Sequence, residues 1–332
     1  TQSRSSAASD VYKRQAQIDW MLDSMLIELG EQPRAPSPSG QARGGRALVL
    51  VGGAGAGKSR VISHVLRNRP EFLGFGKDGE WSPILSVVAP SPFTLGALGN
   101  LIVRAAGYQG AREIKHSMVW PFVRELLADK GIRILHIDEA QHGDEIVNPN
   151  MFQEVENTFK RMMQDGDWLV WLILSGLPEL ARFCQADASM KRRVRIVRLE
   201  PLRFPDHTAT IRDTVRTIGT HCPSIDCTTL LTDEFAHRLL HASMYQFGIL
   251  VEYVQDAIGE CLTAGDDELM IGHFADVYTV RTGETQDDMN VFLARNWKAI
   301  TVETALYEEV TDARGRPVVR QLRQRKTRGV GR

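Results

Sequence analysis

Several things are scarce in this 332-residue chain, and each scarcity excludes a class of protein. Four cysteines (Cys184, Cys222, Cys227 and Cys261) are too few to staple a chain of this length, so a disulfide scaffold is excluded and a reducing, cytoplasmic setting is expected. Long apolar runs are missing too. The longest strongly apolar stretch, WLVWLILSGL (168–177), falls short of the roughly 20 residues that span a bilayer, so no membrane partner is expected. The first fifteen residues, TQSRSSAASDVYKRQ, have no apolar centre of the kind a secretory signal needs. Acidic residues are absent from 314 to 332, where eight basic ones stand: Arg314, Arg316, Arg320, Arg323, Arg325, Lys326, Arg328 and Arg332. With that tail set aside from a net charge of −1, the other 313 residues carry −9. A basic tail on an acidic body is either an arm for nucleic acid or an acidic partner, or a solvated end without a specific role.

What is present is an alternation of apolar runs and helical periodicity. Residues 16–30 place Ile18, Met21, Leu22, Met25, Leu26 and Leu29 at helical spacing, and the Pro-, Gly- and Ser-rich stretch 31–45 reads as a linker. Buried strands are expected at 46–52, 82–89, 132–138, 168–176 and 194–199. Helices are expected after Lys58, within 90–107, over 117–131 and over 151–166. Strands separated by helices predict an α/β fold, a parallel sheet with flanking helices. Beyond Pro201 the strand signals fade and helical ones continue. The expected organisation is an N-terminal helix and linker (1–45), an α/β nucleotide-binding domain (46–200), a helical lid (201–285) and a C-terminal extension with the basic tail (286–332).

The first apolar strand ends in Gly52-Gly53-Ala54-Gly55-Ala56-Gly57-Lys58-Ser59, a full match to the phosphate-loop pattern G-x-x-x-x-G-K-[ST], followed by Arg60. Glycines let successive N–H groups turn inward onto phosphates, and the following helix adds the positive end of its dipole. Lys58 is placed to reach the β- and γ-phosphates of ATP, and Ser59 to ligate Mg²⁺. Asp138 closes the third strand (ILHID), where an open parallel sheet presents its ligands, and is the second Mg²⁺ candidate. Glu139 beside it is the candidate general base for an attacking water. Ser175, ending the fourth strand, is positioned to orient that water. Arg192 and Arg193, before the fifth strand, are candidates to stabilise transition-state charge in a neighbouring subunit.

This set, in this order, resembles the AAA+ ATPases. Within them, GGAGAGKSR, ILHIDEAQH and LSGLPELARF resemble the TniB/TnsC group of transposition regulators; IDEAQH and SGLPEL also occur in ExeA-like and origin-recognition-like ATPases. The resemblance covers about residues 46–260. It implies ATP-driven assembly of rings or helical filaments on duplex DNA, with recruitment of a transposase to a target that a further protein selects. It also implies DNA contacts from PSPFT (90–94) and AREIKH (111–116), which makes Thr94, Arg112 and Lys115 candidates. The lid stretch SMYQFGILVEYV carries no basic residue where many AAA+ proteins have a γ-phosphate-sensing arginine; Gly248 is expected to pack near the adenine instead.

Other readings share the same catalytic residues. An origin- or helicase-loader-like factor, an ExeA-like ATPase and a switch that holds its nucleotide without turnover all remain alternatives. A zinc site from Cys222, Cys227, His237 and His241 is the weaker reading of those four residues, because nine residues between Cys227 and His237 are fewer than a zinc finger uses.

Overall fold

The structure is a computed structural model that describes residues 18–24, 26, 46–77, 79–110, 112–140, 149–164, 168–186, 188–302, 307–311 and 317–321. The linker at 31–45 and most of the basic tail lie outside the described residues. The chain divides into two compact units, one running through Glu200 and the other from Pro201 onward.

The first unit is built on five strands: β1 (Ala47–Gly52), β2 (Ile84–Val88), β3 (Ile134–Asp138), β4 (Trp171–Gly176) and β5 (Val194–Leu199). Their order is β2-β3-β4-β1-β5, and every pairing is parallel. Parallel pairing needs a crossover between strands, and helices supply it. They are α2 (Lys58–Arg67), α3 (Leu95–Ala105), α4 (His116–Asp129), α5 (Pro149–Gln164), α6 (Glu179–Ala186) and α7 (Ala188–Arg193). Residues 18–24 form a further helix, α1, ahead of the sheet.

Strand alternation sorts the core into two layers. On one face Leu48, Leu50, Ile134, Trp171 and Ile173 meet Ile18 and Leu22 of α1 and Ile62, Val65 and Leu66 of α2. On the other, Val49, Leu135, Ile137 and Leu172 meet Leu98 and Ile102 of α3, Val119 and Val123 of α4 and Phe159 of α5. Each such side chain, fully buried, contributes roughly 1.5–3 kcal/mol. Arg69 fastens α1 through ion pairs to Asp19 (3.2 Å) and Asp23. Glycines on α3 admit α4 closely: a Cβ at Gly99 would lie 2.8 Å from Val119 Cγ2, and one at Gly96 would lie 3.1 Å from His116 Cδ2.

The second unit is helical: α8 (Thr208–Gly219), α9 (Asp233–Ala242), α10 (Phe247–Ala264) and α11 (Ile271–Thr282). Thr232 caps α9 by accepting from the Phe235 N–H, which ends the preceding extended segment. The helix α11 is an addition to the elements the sequence led us to expect. Residues 286–302, unplaced by sequence reasoning, are packed into this unit's core through Val291, Phe292, Ala294, Trp297, Ile300 and Val302. Three bonds from Arg238 Nη1, to the carbonyls of Val291 (2.7 Å), Phe292 (3.2 Å) and Ala294 (3.0 Å), hold that segment. In the tail, β6 (Tyr307–Thr311) and β7 (Pro317–Gln321) form an antiparallel hairpin, another element sequence reading did not anticipate.

His237 and His241 share one face of α9, as their i,i+4 spacing predicts, and that face meets aromatic rings. His237 stacks on Phe204 at 3.8 Å between centroids and meets Trp297 edge-on at 4.8 Å. His241 Nε2 lies 2.9 Å from the Ile300 carbonyl. Cys227 is buried below Gly219, where a Cβ would come within 2.7 Å of its Sγ. Among the described residues no group of three or more metal-ligating side chains occurs.

Candidate nucleotide-binding site

Because the strands run parallel, β1, β3 and β4 deliver their C-terminal residues to one edge of the sheet. Gly52, Asp138 and Ser175 arrive there together. The phosphate-loop segment leaves β1 through a turn closed by Ala56 N–H to Gly53 O (3.2 Å). Gly55 (φ 74°) and Gly57 (φ 89°) adopt the left-handed conformation that glycine takes without steric cost. Gly52 is required for a different reason: a Cβ there would lie 3.0 Å from both Ala56 Cβ and Leu199 Cβ. At the N-cap of α2, Gly57 provides no side chain to take the first-turn N–H groups, the arrangement that suits an anion.

Lys58 is buried, its ammonium bonded to the carbonyls of Gly52 and Gly53 at 3.0 Å each. Burial lowers its pKa, and the nearby Glu139 and Asp138 carboxylates work against that shift. Burial acts to raise the Asp138 pKa, yet the net shift is downward. Hydrogen bonds from the Ser175 and Ser59 hydroxyls outweigh it, helped by His136 and the Glu139 N–H. Asp138 is therefore held as a carboxylate. Its Oδ1 accepts from Ser175 Oγ at 2.5 Å and from the Glu139 N–H at 3.0 Å. Ser59 and Asp138 offer a hydroxyl and a carboxylate, the hard oxygen donors that Mg²⁺ prefers.

Glu139 is half-buried just past the strand end, with φ 54°, a left-handed conformation uncommon for a residue with a side chain. Behind the acidic pair lies a buried polar chain that sequence reading missed. His136, two residues before Asp138, shares its sheet face, and strand register sets it beside Ser86 of β2. Ser86 Oγ and His136 Nδ1 are 2.8 Å apart, and His136 Nε2 and Ser175 Oγ are 2.9 Å apart. Burial depresses the His136 pKa to about 4, with Asp138 opposing, so the ring is neutral near pH 7. A histidine inside an apolar strand gives no motif; its alignment with Ser86 emerges only once the sheet order is known.

Ser59, exposed on the first turn of α2, belongs to this edge through its hydroxyl bond to Asp138. Ala54 and Arg60 are exposed on the loop and the first turn of α2. The other candidates lie apart from this edge. Arg192 and Arg193 end α7 and precede β5. Since Ala47 pairs with Val194, they stand at the opposite end of the sheet from Gly52, about 17 Å along the strand. Within one chain they do not join Lys58 and Asp138. Thr94 caps α3, accepting from the Ala97 N–H at 3.0 Å, while Arg112 and Lys115 are exposed in the segment leading to α4. Gly248 is buried in the first turn of α10, in the second unit. No helix among the described residues is long and apolar enough to cross a membrane.

Residues 41–183 match the family model of the AAA domain. No curated protein matches the sequence significantly. Cdc6p from Pyrobaculum aerophilum is a similar solved structure, with a TM-score of 0.50 at 12% identity, covering 78% of this chain and 65% of that one. The Aeropyrum pernix ORC2 protein gives 0.49 at 13% identity, covering 73% and 63%. The Thermotoga maritima RuvB Holliday junction branch migration motor gives 0.43 at 11% identity, covering 74% and 66%. The chain thus spans 63–66% of the length of these structures. At such identities the likeness to Cdc6p concerns the fold alone. Phosphate loop, strand-end acidic pair and parallel five-stranded sheet agree with the match over residues 41–183: the first unit has a P-loop α/β fold of the AAA+ kind.

Proposed function

We propose that the protein is an ATPase that assembles on duplex DNA in its ATP-bound form and recruits or activates a transposase there, with hydrolysis driving disassembly. The observation that carries the enzymatic part is the convergence of Lys58, Ser59, Asp138, Glu139 and Ser175 at one edge of the sheet. In this reading Lys58 exchanges the Gly52 and Gly53 carbonyls for the phosphates. Glu139 takes the proton of the attacking water, and Ser175 holds the Asp138 carboxylate in place. A Mg²⁺ ion held by Ser59 and Asp138 would neutralise charge developing on the phosphates. Arg192 or Arg193, remote from this edge in its own chain, acts in the site of a second copy.

Placement of the DNA candidates supports the second part. Thr94 and Lys115 stand at the N-terminal ends of α3 and α4, which Asn100 ties together. Its side chain bonds the Ile114 N–H (2.8 Å), the Ile114 carbonyl (3.0 Å) and the Gly96 carbonyl (3.0 Å). Two adjacent helix N-termini with a hydroxyl and an ammonium suit a nucleic-acid backbone. The transposase and target-selection partners rest on the resemblance to the TniB/TnsC group.

Negative-stain imaging with duplex DNA tests this, comparing a non-hydrolysable ATP analogue, ADP and no nucleotide, with Glu139→Gln in parallel. Rings or filaments on DNA with the analogue alone, and with ATP in Glu139→Gln, are expected. Nucleotide-dependent oligomers that ignore DNA would remove the DNA step, and a monomer in every state would remove assembly altogether.

A further inference from the structure

We propose that His136 is a positioning residue for the metal-binding carboxylate, acting through Ser175. The inference rests on the nucleotide-hydrolysis reading above and adds to it a residue outside the phosphate-loop and acidic-pair motifs.

Proton counting sets the direction of each bond in this chain. A serine hydroxyl has a single proton to donate. Ser175 Oγ sits 2.5 Å from Asp138 Oδ1, and a carboxylate only accepts, so the Ser175 proton is committed to Asp138. The contact at 2.9 Å between Ser175 and His136 Nε2 must then run the other way, with Nε2–H donating to Ser175 Oγ. That fixes the tautomer. His136 Nδ1 carries no proton and accepts from the Ser86 hydroxyl at 2.8 Å. Every donor in the chain has one acceptor: Ser86 to His136, His136 to Ser175, Ser175 to Asp138.

Burial gives this order its consequence. His136 is 3% exposed and Ser175 is fully buried, so neither can exchange its partner for water. Without a donor at Nε2, the Ser175 oxygen would lack its partner and its hydroxyl would be released from a single rotamer. Asp138 would keep the Glu139 N–H and the Ser59 hydroxyl, but its bond from Ser175 would no longer be held in one geometry. Metal sites depend on such outer partners for ligand orientation, and losing one costs about 10- to 100-fold in metal affinity or activity. Ser86 lies on the exposed edge strand, so the chain reaches from the metal-binding carboxylate to the rim of the sheet.

The test uses the full chain and two readouts, ATP turnover and Mg²⁺ titration of a bound fluorescent, non-hydrolysable ATP analogue. In His136→Phe, half-saturating Mg²⁺ should rise and kcat should fall, each about 10-fold or more. Analogue affinity measured without Mg²⁺ should stay within about threefold, since the hydrogen bonds of His136 go to Ser86 and Ser175 and not to the phosphate loop. His136→Gln, whose amide can still donate to Ser175, should recover most of both losses. The double variant His136→Phe with Ser175→Ala should be no worse than Ser175→Ala alone, because one route is broken once.

Parent-like Mg²⁺ dependence and kcat in His136→Phe would overturn the inference, as would additive losses in the double variant. Should His136→Phe fail to fold, Ser175→Ala decides: a parent-like Mg²⁺ response there would overturn it equally. A parent chain that binds no analogue would instead overturn the nucleotide reading, which keeps the two failures distinct.

Discussion

The two units bury polar groups for different ends. In the first, His136, Ser175 and Asp138 are buried and bonded in sequence behind the strand ends, and buried Lys58 is bonded to the loop that leaves β1. In the second, half-buried Arg238 and His241 and buried Asn290 reach backbone carbonyls of distant segments, with Arg238 also paired to Glu234 and Asn290 also bonded to Thr279 Oγ1. Asn290 Nδ2 reaches the Ala275 carbonyl at 2.9 Å, and Arg238 and His241 clasp residues 291–300. Desolvating a charge is costly in either place. In the first unit, on the proposed function, that cost poises groups for a ligand; in the second it fixes the course of the chain. Buried polarity alone therefore does not mark a site. What marks one is convergence on a strand-end edge with donors and acceptors suited to a ligand.

If this contrast is right, substitutions in the second unit should act on stability and those in the first on binding. Trp297→Ala is expected to have the largest effect on stability. It deletes a buried ring that meets His237, His241 and Arg238, and should cost about 3–5 kcal/mol, read as a lowered melting temperature or denaturant midpoint. A loss below 1 kcal/mol would show that residues 286–302 contribute little to that core. Next in size, Lys58→Ala should weaken ATP binding roughly 100-fold, about 2.7 kcal/mol, through loss of a charge-assisted bond to phosphate. Its thermal stability should change little, because removing the ammonium also removes its desolvation cost. A large fall in melting temperature with unchanged affinity would reverse the contrast.

Arg238→Ala should cost about 1–3 kcal/mol, since three carbonyls lose a shared donor. Arg238→Lys should rescue only part of this, because an ammonium lacks the planar fork. The smallest effect concerns thiol reactivity. Burial pushes the Cys184 thiol up to about 12, so at pH 8 roughly one molecule in 10⁴ carries its thiolate. In the native protein, a disulfide reagent should modify half-buried Cys222 readily and Cys184 only after unfolding. Fast modification of Cys184 would show that the α6 side of the sheet opens locally.

How much of this was legible beforehand follows from the same physics. Parallel strands covered on both faces read as unbroken apolar runs, so all five were found, and β5 was located to the residue. Their spatial order was not, since nothing in a run of apolar residues says that β1 lies between β4 and β5. The phosphate loop and the acidic pair were legible because phosphate chemistry demands fixed spacing. His136 was not, because its partners sit on β2 and β4, 50 and 39 residues away in the chain. The helix α11 escaped because its buried face mixes His273 and Tyr278 with Phe274, Ala275 and Val277, which blurs the apolar stripe. His237 and His241 showed a shared helix face by spacing, but their partners, Trp297 and Ile300, stand about sixty residues further on.

The central claim is that the strand-end edge of the first unit hydrolyses ATP with Glu139 as its base. The most direct measurement is ATP turnover by Glu139→Gln against the parent chain, at saturating ATP and Mg²⁺, with bound nucleotide determined in the same samples. Turnover about 10²- to 10⁴-fold lower in Glu139→Gln, with ATP still bound, is the predicted result. Equal turnover in the two proteins would contradict the account.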